Sequence, residues 1–260
     1  MIYEKVLYSL ESGVARISMN DPATRNAGSA QMGEELLDAL NRASGEARAI
    51  MLTGEGKGFC SGANLADAAS VLDDPMRDVG QLLDRYFNPV ILAMRDMHQP
   101  VVTAVRGAAA GVGAGIAMAG DLIVCGEESF FLQAFCNVGL VPDGGSSWLL
   151  SKAVGRVRAM ELMLLGDRLH GPKALEWGLV NYVVPDEEVE AKAMELAGRL
   201  ARGPRSLGLI KRNAWAATDS NLEAALIAER MGQRDASRTE DFVEGVTAFA
   251  AKRKPQFTGS

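Results

Sequence analysis

Histidine is almost absent from this chain, with only His98 and His170 in 260 residues. Neither stands beside a carboxylate cluster, so a histidine-rich metal centre is excluded and no metal is expected. Neither lies near a Gly-x-Ser-x-Gly elbow, which leaves a Ser-His-Asp hydrolase without support. Cysteine is scarce and scattered, at Cys60, Cys125 and Cys136. With no signal-like segment at the start, this odd set is expected to be reduced thiols of a cytoplasmic protein. No uncharged apolar run reaches the about 20 residues of a membrane span. The longest, GAAAGVGAGIAMAG from Gly107 to Gly120, is too short and too rich in glycine. A net charge of −6 argues against a nucleic-acid partner.

Glycine, by contrast, is plentiful. The chain has 28, where an average composition of about 7% would supply fewer. They are not arranged as a linker, so backbone geometry must account for them. Charge is unevenly spread. From Leu196 onward there are 11 Lys/Arg against 7 Asp/Glu, a basic tail on an acidic body. Such a tail suits either an anionic ligand or plain solvation.

The order of elements indicates an α/β protein. Residues 5–19 alternate as two strands around Ser12-Gly13. Ser29 is placed to cap a helix whose apolar face uses Met32, Leu36, Leu37 and Leu40. AIMLT (49–53) and VVTAV (101–105) read as short buried strands, and residues 121–125 as another. A long helix is expected over 76–97, bent near Asn88-Pro89, and a short strand over 130–135. From Ser146 the pattern is almost wholly helical, with one strand at 181–185. Strands first and helices last suggest a sheet-containing core over 1–195 and a helical oligomerisation region over 196–260. In that region Leu222, Leu226 and Met231 form an apolar face for another subunit.

Three turns carry candidate chemistry. GKGFCSGANL follows AIMLT, and GAAAGVGAG follows VVTAV; each is strand, glycine turn, helix. The first N–H groups of such a helix lack internal partners, and two turns side by side can aim two N–H groups at one oxygen. Neither matches GxGxxG or a phosphate-binding P-loop. The third turn, GLVPDGGSS, holds Asp143 just before a helix. It reads either as a turn or capping aspartate or as an acid/base carboxylate at a pocket edge.

These runs, with AVRGAAAGVGAGIAMAGDLIV, FFLQAFCNVGLVPDGGSSWLL and AMELMLLGDRLHGPKALEWGLVNYVVP, together resemble the enoyl-CoA hydratase/isomerase (crotonase) superfamily. The resemblance spans essentially the whole chain. It implies a spiral of ββα turns with a C-terminal helical trimerisation region, assembled as a homo-trimer or hexamer. It also implies an acyl-CoA substrate, with coenzyme A part of the thioester and no permanently bound cofactor.

By position, the family's oxyanion hole falls on the backbone N–H groups of Ala63 and Val112. Val112 and Asn64 depart from the glycine and aspartate that relatives often carry. The family's two hydratase glutamates fall on Gly115 and Phe135, and no acidic residue lies between Arg106 and Asp121 or between Ser129 and Val141. Asp143 matches the acid/base residue of an isomerase subgroup. Coenzyme A binding falls on Arg25, Ala27, Ala63 and Leu65, with Phe249 and Lys252 supplied by a neighbouring subunit. Phe131, Phe135, Trp148, Leu82, Tyr86 and Phe87 are candidates to line an acyl pocket. The expected activity is acyl-CoA isomerisation, of an enoyl or a ring or epoxide acyl group, with Asp143 as acid/base. The alternatives are a hydratase or lyase of the same superfamily, or a catalytically silent CoA-binding protein.

Overall fold

The computed structural model describes residues 2–64 and 73–260; Leu65, expected at the coenzyme A site, lies outside the described residues. Val6–Glu11 (β1) and Val14–Met19 (β2) form an antiparallel hairpin. Its two turn residues, Ser12 and Gly13, both take positive φ, the turn whose twist matches that of paired strands. Ala49–Gly54 (β3), Val101–Val105 (β4), Leu122–Gly126 (β6) and Tyr182–Val184 (β9) then add in parallel. The sheet order is β1-β2-β3-β4-β6-β9.

β3 and β4 are buried along their whole length, so their alternation serves two cores. Ile50, Leu52, Val101 and Val105 face one core. Ala49, Met51, Val102 and Ala104 face the other. The first is covered by the Ala30–Glu46 helix, which buries Met32, Leu36, Ala39 and Leu40. Ser29 caps it by accepting the Met32 N–H at 3.2 Å, as its position in the sequence predicts. The second core is closed by the Val189–Ala201 helix through Val189, Ala193, Leu196 and Ala197. Residue 195, the expected division of the chain, lies within this helix.

A second, small sheet has only one strand anticipated in the sequence reading, that expected over 130–135. Ala108–Ala110 (β5), Phe130–Leu132 (β7) and Arg168–His170 (β8) pair in the order β5-β7-β8. Three residues are too few to display an alternation, and β5 lies inside the run read as a glycine turn. The strand expected over 130–135 accordingly stops at Leu132, and a 3₁₀ turn, Ala134–Val138, follows. The helix expected over 76–97 begins later. Asp78 accepts the Gly80 N–H at 2.9 Å, a local turn that competes with helix. A π turn over Leu83–Phe87 leads into the Asn88–Asp96 helix. The wide turn falls just before Pro89, whose missing N–H a regular helix would leave as a gap.

The C-terminal helices Ser206–Ala217, Leu222–Ala236 and Glu240–Ala250 follow. Leu222, Leu226 and Met231 are exposed within one chain. The first of these helices is anchored by a buried cation. Lys211 donates to the Met94 carbonyl (2.6 Å), the Gln99 carbonyl (3.0 Å) and Asp121 (2.8 Å). Asp121 also accepts the Val101 N–H at 2.8 Å and the Trp215 indole at 3.2 Å. Burial lowers the lysine pKa, and the Asp121 carboxylate opposes that shift. Lys211→Met should therefore cost about 3 kcal/mol in chemical denaturation, because it strands a largely buried carboxylate and two carbonyls that lose their donor. Adding Asp121→Asn should recover part of the loss.

Candidate active site

The first glycine turn is fastened to the loop before it by a buried amide. Asn26 is fully buried with positive φ, a conformation asparagine tolerates better than most residues. Its Nδ2 donates to the Glu55 carbonyl (2.9 Å) and the Gly58 carbonyl (2.8 Å), and its Oδ1 accepts the Asp21 N–H at 2.8 Å. The sequence reading missed this residue; an asparagine in a TRNA loop before two small residues was the available signal. Arg25 is exposed beside it, and its carbonyl accepts the Ser61 N–H at 3.0 Å. Ala27 is buried, and the next residue bridges to the first turn. The Gly28 N–H donates to the Gly62 carbonyl at 2.7 Å, and the Asn64 N–H to the Gly28 carbonyl at 3.1 Å.

That bridge engages the residues on either side of Ala63. In an extended segment successive N–H groups point to opposite edges, so the Ala63 N–H is directed away from Gly28. Ala63 is exposed, and its N–H donates to no acceptor among the described residues.

The second turn opens the Val112–Met118 helix. Gly111 precedes it with φ 52° and ψ −128°, a backbone state that side chains disfavour. It has no side chain to cap the helix, and the Val112 N–H has no acceptor among the described residues. The two turns touch backbone to backbone. A Cβ on Gly111 would stand 3.5 Å from the Gly62 Cα, and one on Gly62 would stand 3.2 Å from the Ala110 carbonyl oxygen. The Cys60 N–H donates to the Ala108 carbonyl and the Ala110 N–H to the Cys60 carbonyl, which pins one turn on the other.

Asp143 arrives from a third direction. Its neighbour Gly144 packs on Val112, and a Cβ there would lie 3.2 Å from the Val112 Cα. The side chain of Asp143 caps nothing: the Ser146–Val154 helix begins at Gly145 without a side-chain cap. The capping reading thus fails, although the Asp143 carbonyl accepts the Ser146 N–H at 2.9 Å. Asp143 Oδ1 is buried without a hydrogen-bond partner. Burial pushes the carboxyl up from 3.8 to about 6, since a charged group is disfavoured where it is not solvated. Burial, with a lesser push from the Asp143 charge, also raises the Cys60 thiol to about 11.

The positions of the two missing glutamates are now informative. A Cβ on Gly115 would collide with the Gly144 carbonyl oxygen, so this backbone has no room for a side chain there. The Phe135 ring lies against Gly111, 3.6 Å from where its Cβ would be.

Ala27, Ala63, Val112, Arg25 and Asp143 are thus brought to one place. Phe249 and Lys252 stand apart, at the end of the Glu240–Ala250 helix. Phe249 is 87% exposed and borders an apolar groove of about 820 Å³ with Leu226, Phe242 and Phe257. Of the acyl-pocket candidates, Phe131 and Phe87 are core residues. Trp148 stacks on Trp215 with ring centroids 5.8 Å apart. Among the described residues there is no cluster of three potential metal ligands, and no helix is long and apolar enough to cross a membrane.

The family model described as Enoyl-CoA hydratase/isomerase matches residues 9–260. The chain belongs to this family, which acts on CoA thioesters. It is 40% identical to the 1,2-epoxyphenylacetyl-CoA isomerase of Escherichia coli K12, across 98% of this chain and 99% of that protein. It is also 40% identical to a Rhodobacter capsulatus protein named probable enoyl-CoA hydratase, across the full length of both. A solved enoyl-CoA hydratase from Polaromonas sp. JS666 superposes with a TM-score of 0.91 at 30% identity, covering 97% of this chain and 99% of that one. The crotonase-type α/β fold expected from the sequence is the one observed.

The unpartnered carboxyl has a consequence for stability. A carboxyl raised from 3.8 to about 6 costs nothing while protonated, and its burial cost grows as pH rises through that interval. Asp143→Asn should therefore melt higher than the parent above pH 6, with the difference shrinking towards zero as pH falls through 4. Thermal denaturation across that range checks the sign.

Proposed function

We propose that this enzyme isomerises an enoyl-CoA, or a ring or epoxide acyl-CoA, through a thioester enolate. The Ala63 and Val112 N–H groups hold the thioester oxygen, and Asp143 acts as acid and base. Asp143 takes a proton from C2 of the acyl chain, and the electron pair moves into the thioester as an enolate. The same carboxyl returns the proton at C4, and the double bond moves between C2 and C3. Two fixed N–H donors favour the charge that develops on the oxygen, where one such donor is worth about 10²–10³ in rate.

The observation that carries this reading is the buried, unpartnered Oδ1 of Asp143, on the residue before Gly144, which packs against Val112. A pKa of about 6 suits a group that must both accept and release a proton near neutrality. The blocked space at Gly115 supports isomerisation over hydration, because a two-carboxylate site cannot be built on this backbone. The hydratase or lyase alternative rests on the name of the Rhodobacter relative.

The phosphates of coenzyme A meet Arg25, which has no ion-pair partner among the described residues. Ala27 and Ala63 supply backbone contacts, as does Leu65. Phe249 and Lys252 come from a neighbouring copy in a homo-trimer or hexamer, whose helices also cover the exposed Leu222, Leu226 and Met231. Light scattering should then give a multiple of three subunits.

Asp143→Asn should bind coenzyme A like the parent but lose at least about 10²-fold in isomerisation rate. Hydration of crotonyl-CoA by the parent should be slow or absent. Turnover by the parent at an ordinary enzymatic rate, about 1–10³ per second, would instead establish the hydratase reading.

A further inference from the structure

The Glu240–Ala250 helix does not end freely: the chain turns at Lys252 and runs back along it. The contacts come in reverse order. Arg253 pairs with Glu244 through two guanidinium nitrogens, at 2.7 Å each, and the Gln256 N–H donates to the same carboxylate at 2.6 Å. The Phe257 ring then lies beside Gly245, 3.6 Å from where a Cβ on that glycine would stand. Beyond it the Thr258 and Gly259 N–H groups donate to Asp241, at 2.8 and 3.0 Å, and the Ser260 carbonyl accepts the Asp241 N–H at 3.1 Å. Asp241 is 2% exposed and also accepts the Arg205 N–H at 2.8 Å. Arg48 donates to the carbonyls of Phe257 and Gly203. The returning segment is thus fixed to the body of the protein at one end and to the last turns of the helix at the other.

Lys252 sits at the reversal with φ 53°. Its N–H donates to the Phe249 carbonyl at 3.1 Å, and the Arg253 N–H to the Ala248 carbonyl at 3.0 Å, which satisfies two carbonyls of the last helical turn. Glycine is the usual residue in the left-handed conformation that closes a helix this way, because a side chain is disfavoured there. Lysine holds this place against its own backbone preference, and such strain persists only where the surroundings impose it. Its side chain is exposed and has no hydrogen-bond or ion-pair partner among the described residues. Glu244, held down at about 2 chiefly by its hydrogen bonds from Arg253, stays ionised throughout the neutral range.

We infer that residues 253–260 are a strap that holds Lys252 in this conformation and thereby positions its ammonium for the phosphates of a coenzyme A bound by a neighbouring copy. The inference rests on the proposed contact of Lys252 with coenzyme A. Glu244 and Arg253 act only through that lysine, as positioning residues. A loose helix end would have to be ordered when the ligand binds, and fixing the backbone in advance removes part of that cost.

The test reads the affinity of the full-length protein for free coenzyme A by titration calorimetry, with the melting temperature beside it. Lys252→Gly should bind about tenfold more weakly, yet melt at or above the parent. Glu244→Gln, which loosens the hold on Arg253, should also weaken binding. In a Lys252→Gly background the same Glu244→Gln change should have no further effect, because the strap acts through the lysine. Lys254→Ala removes an exposed cation two residues on and should leave the affinity unchanged. Full affinity in Glu244→Gln would overturn the strap, as would an equal loss with and without the lysine. A loss in Lys254→Ala as large as in Lys252→Gly would overturn it too, since charge rather than position would then matter. So would a lower melting temperature for Lys252→Gly, or a smaller assembly of Glu244→Gln by light scattering. If Lys252→Gly binds coenzyme A like the parent, the proposed contact falls first and this inference with it.

Discussion

Gly62 and Gly111 meet backbone to backbone, with a Cβ on either standing 3.2–3.5 Å from main-chain atoms of the other turn. The proposed chemistry depends on that approach. The contact sets the residue after each glycine, Ala63 and Val112, at neighbouring points with their N–H groups free. Sequence identity at 63 and 112 matters little for such donors, because main-chain atoms supply them. Identity at 62 and 111 matters greatly, since both adopt positive φ, 99° and 52°, and a Cβ on Gly62 would also press on the Ala110 carbonyl oxygen at 3.2 Å. Gly144 extends the same logic to a third segment and packs the turn that carries Asp143 against the second turn.

The carboxyl illustrates how a fold sustains an unfavourable group. An ionised side chain with a buried, unpartnered oxygen is disfavoured by desolvation, and the raised pKa is the measure of that cost. The surrounding structure holds it there through contacts that do not involve Asp143. These include the two cores on either face of the sheet, the Asn26 clasp under the first turn, and the buried Lys211–Asp121 pair that ties the C-terminal helices to the sheet. Strain or poor solvation at one site, offset by consistent packing elsewhere, is a common signature of a functional centre.

Much of this was legible in the sequence, for physical reasons that differ by element. The long buried elements announce themselves by period, as in the Ala30–Glu46 helix with its Ser29 cap and in β3 and β4. The positions of Ala63, Val112 and Asp143 followed from three glycine turns read together with the family resemblance. Of the second sheet only β7 was expected, over 130–135; β5 and β8 were not legible, because each has three residues. The clasp made by Asn26 was hidden for another reason: a single polar residue whose Nδ2 acceptors lie 29 and 32 positions away leaves no local pattern. Nor could spacing separate a capping Asp143 from an unpartnered one. That distinction depends on the turn through Gly144 and Gly145, which starts the following helix without help from the side chain.

The central claim is that Asp143 removes and returns the C2 proton while two backbone N–H groups hold the enolate. The most direct measurement is exchange of the C2 protons of a bound saturated acyl-CoA in deuterated water, followed across pH for the parent and for Asp143→Asn. A saturated chain cannot isomerise, so exchange reports proton removal alone. The account predicts exchange by the parent that rises with pH through about 6, and none above background in the Asn variant. Undiminished exchange in a folded, CoA-binding Asn variant would contradict it and would move the proton transfer to another group.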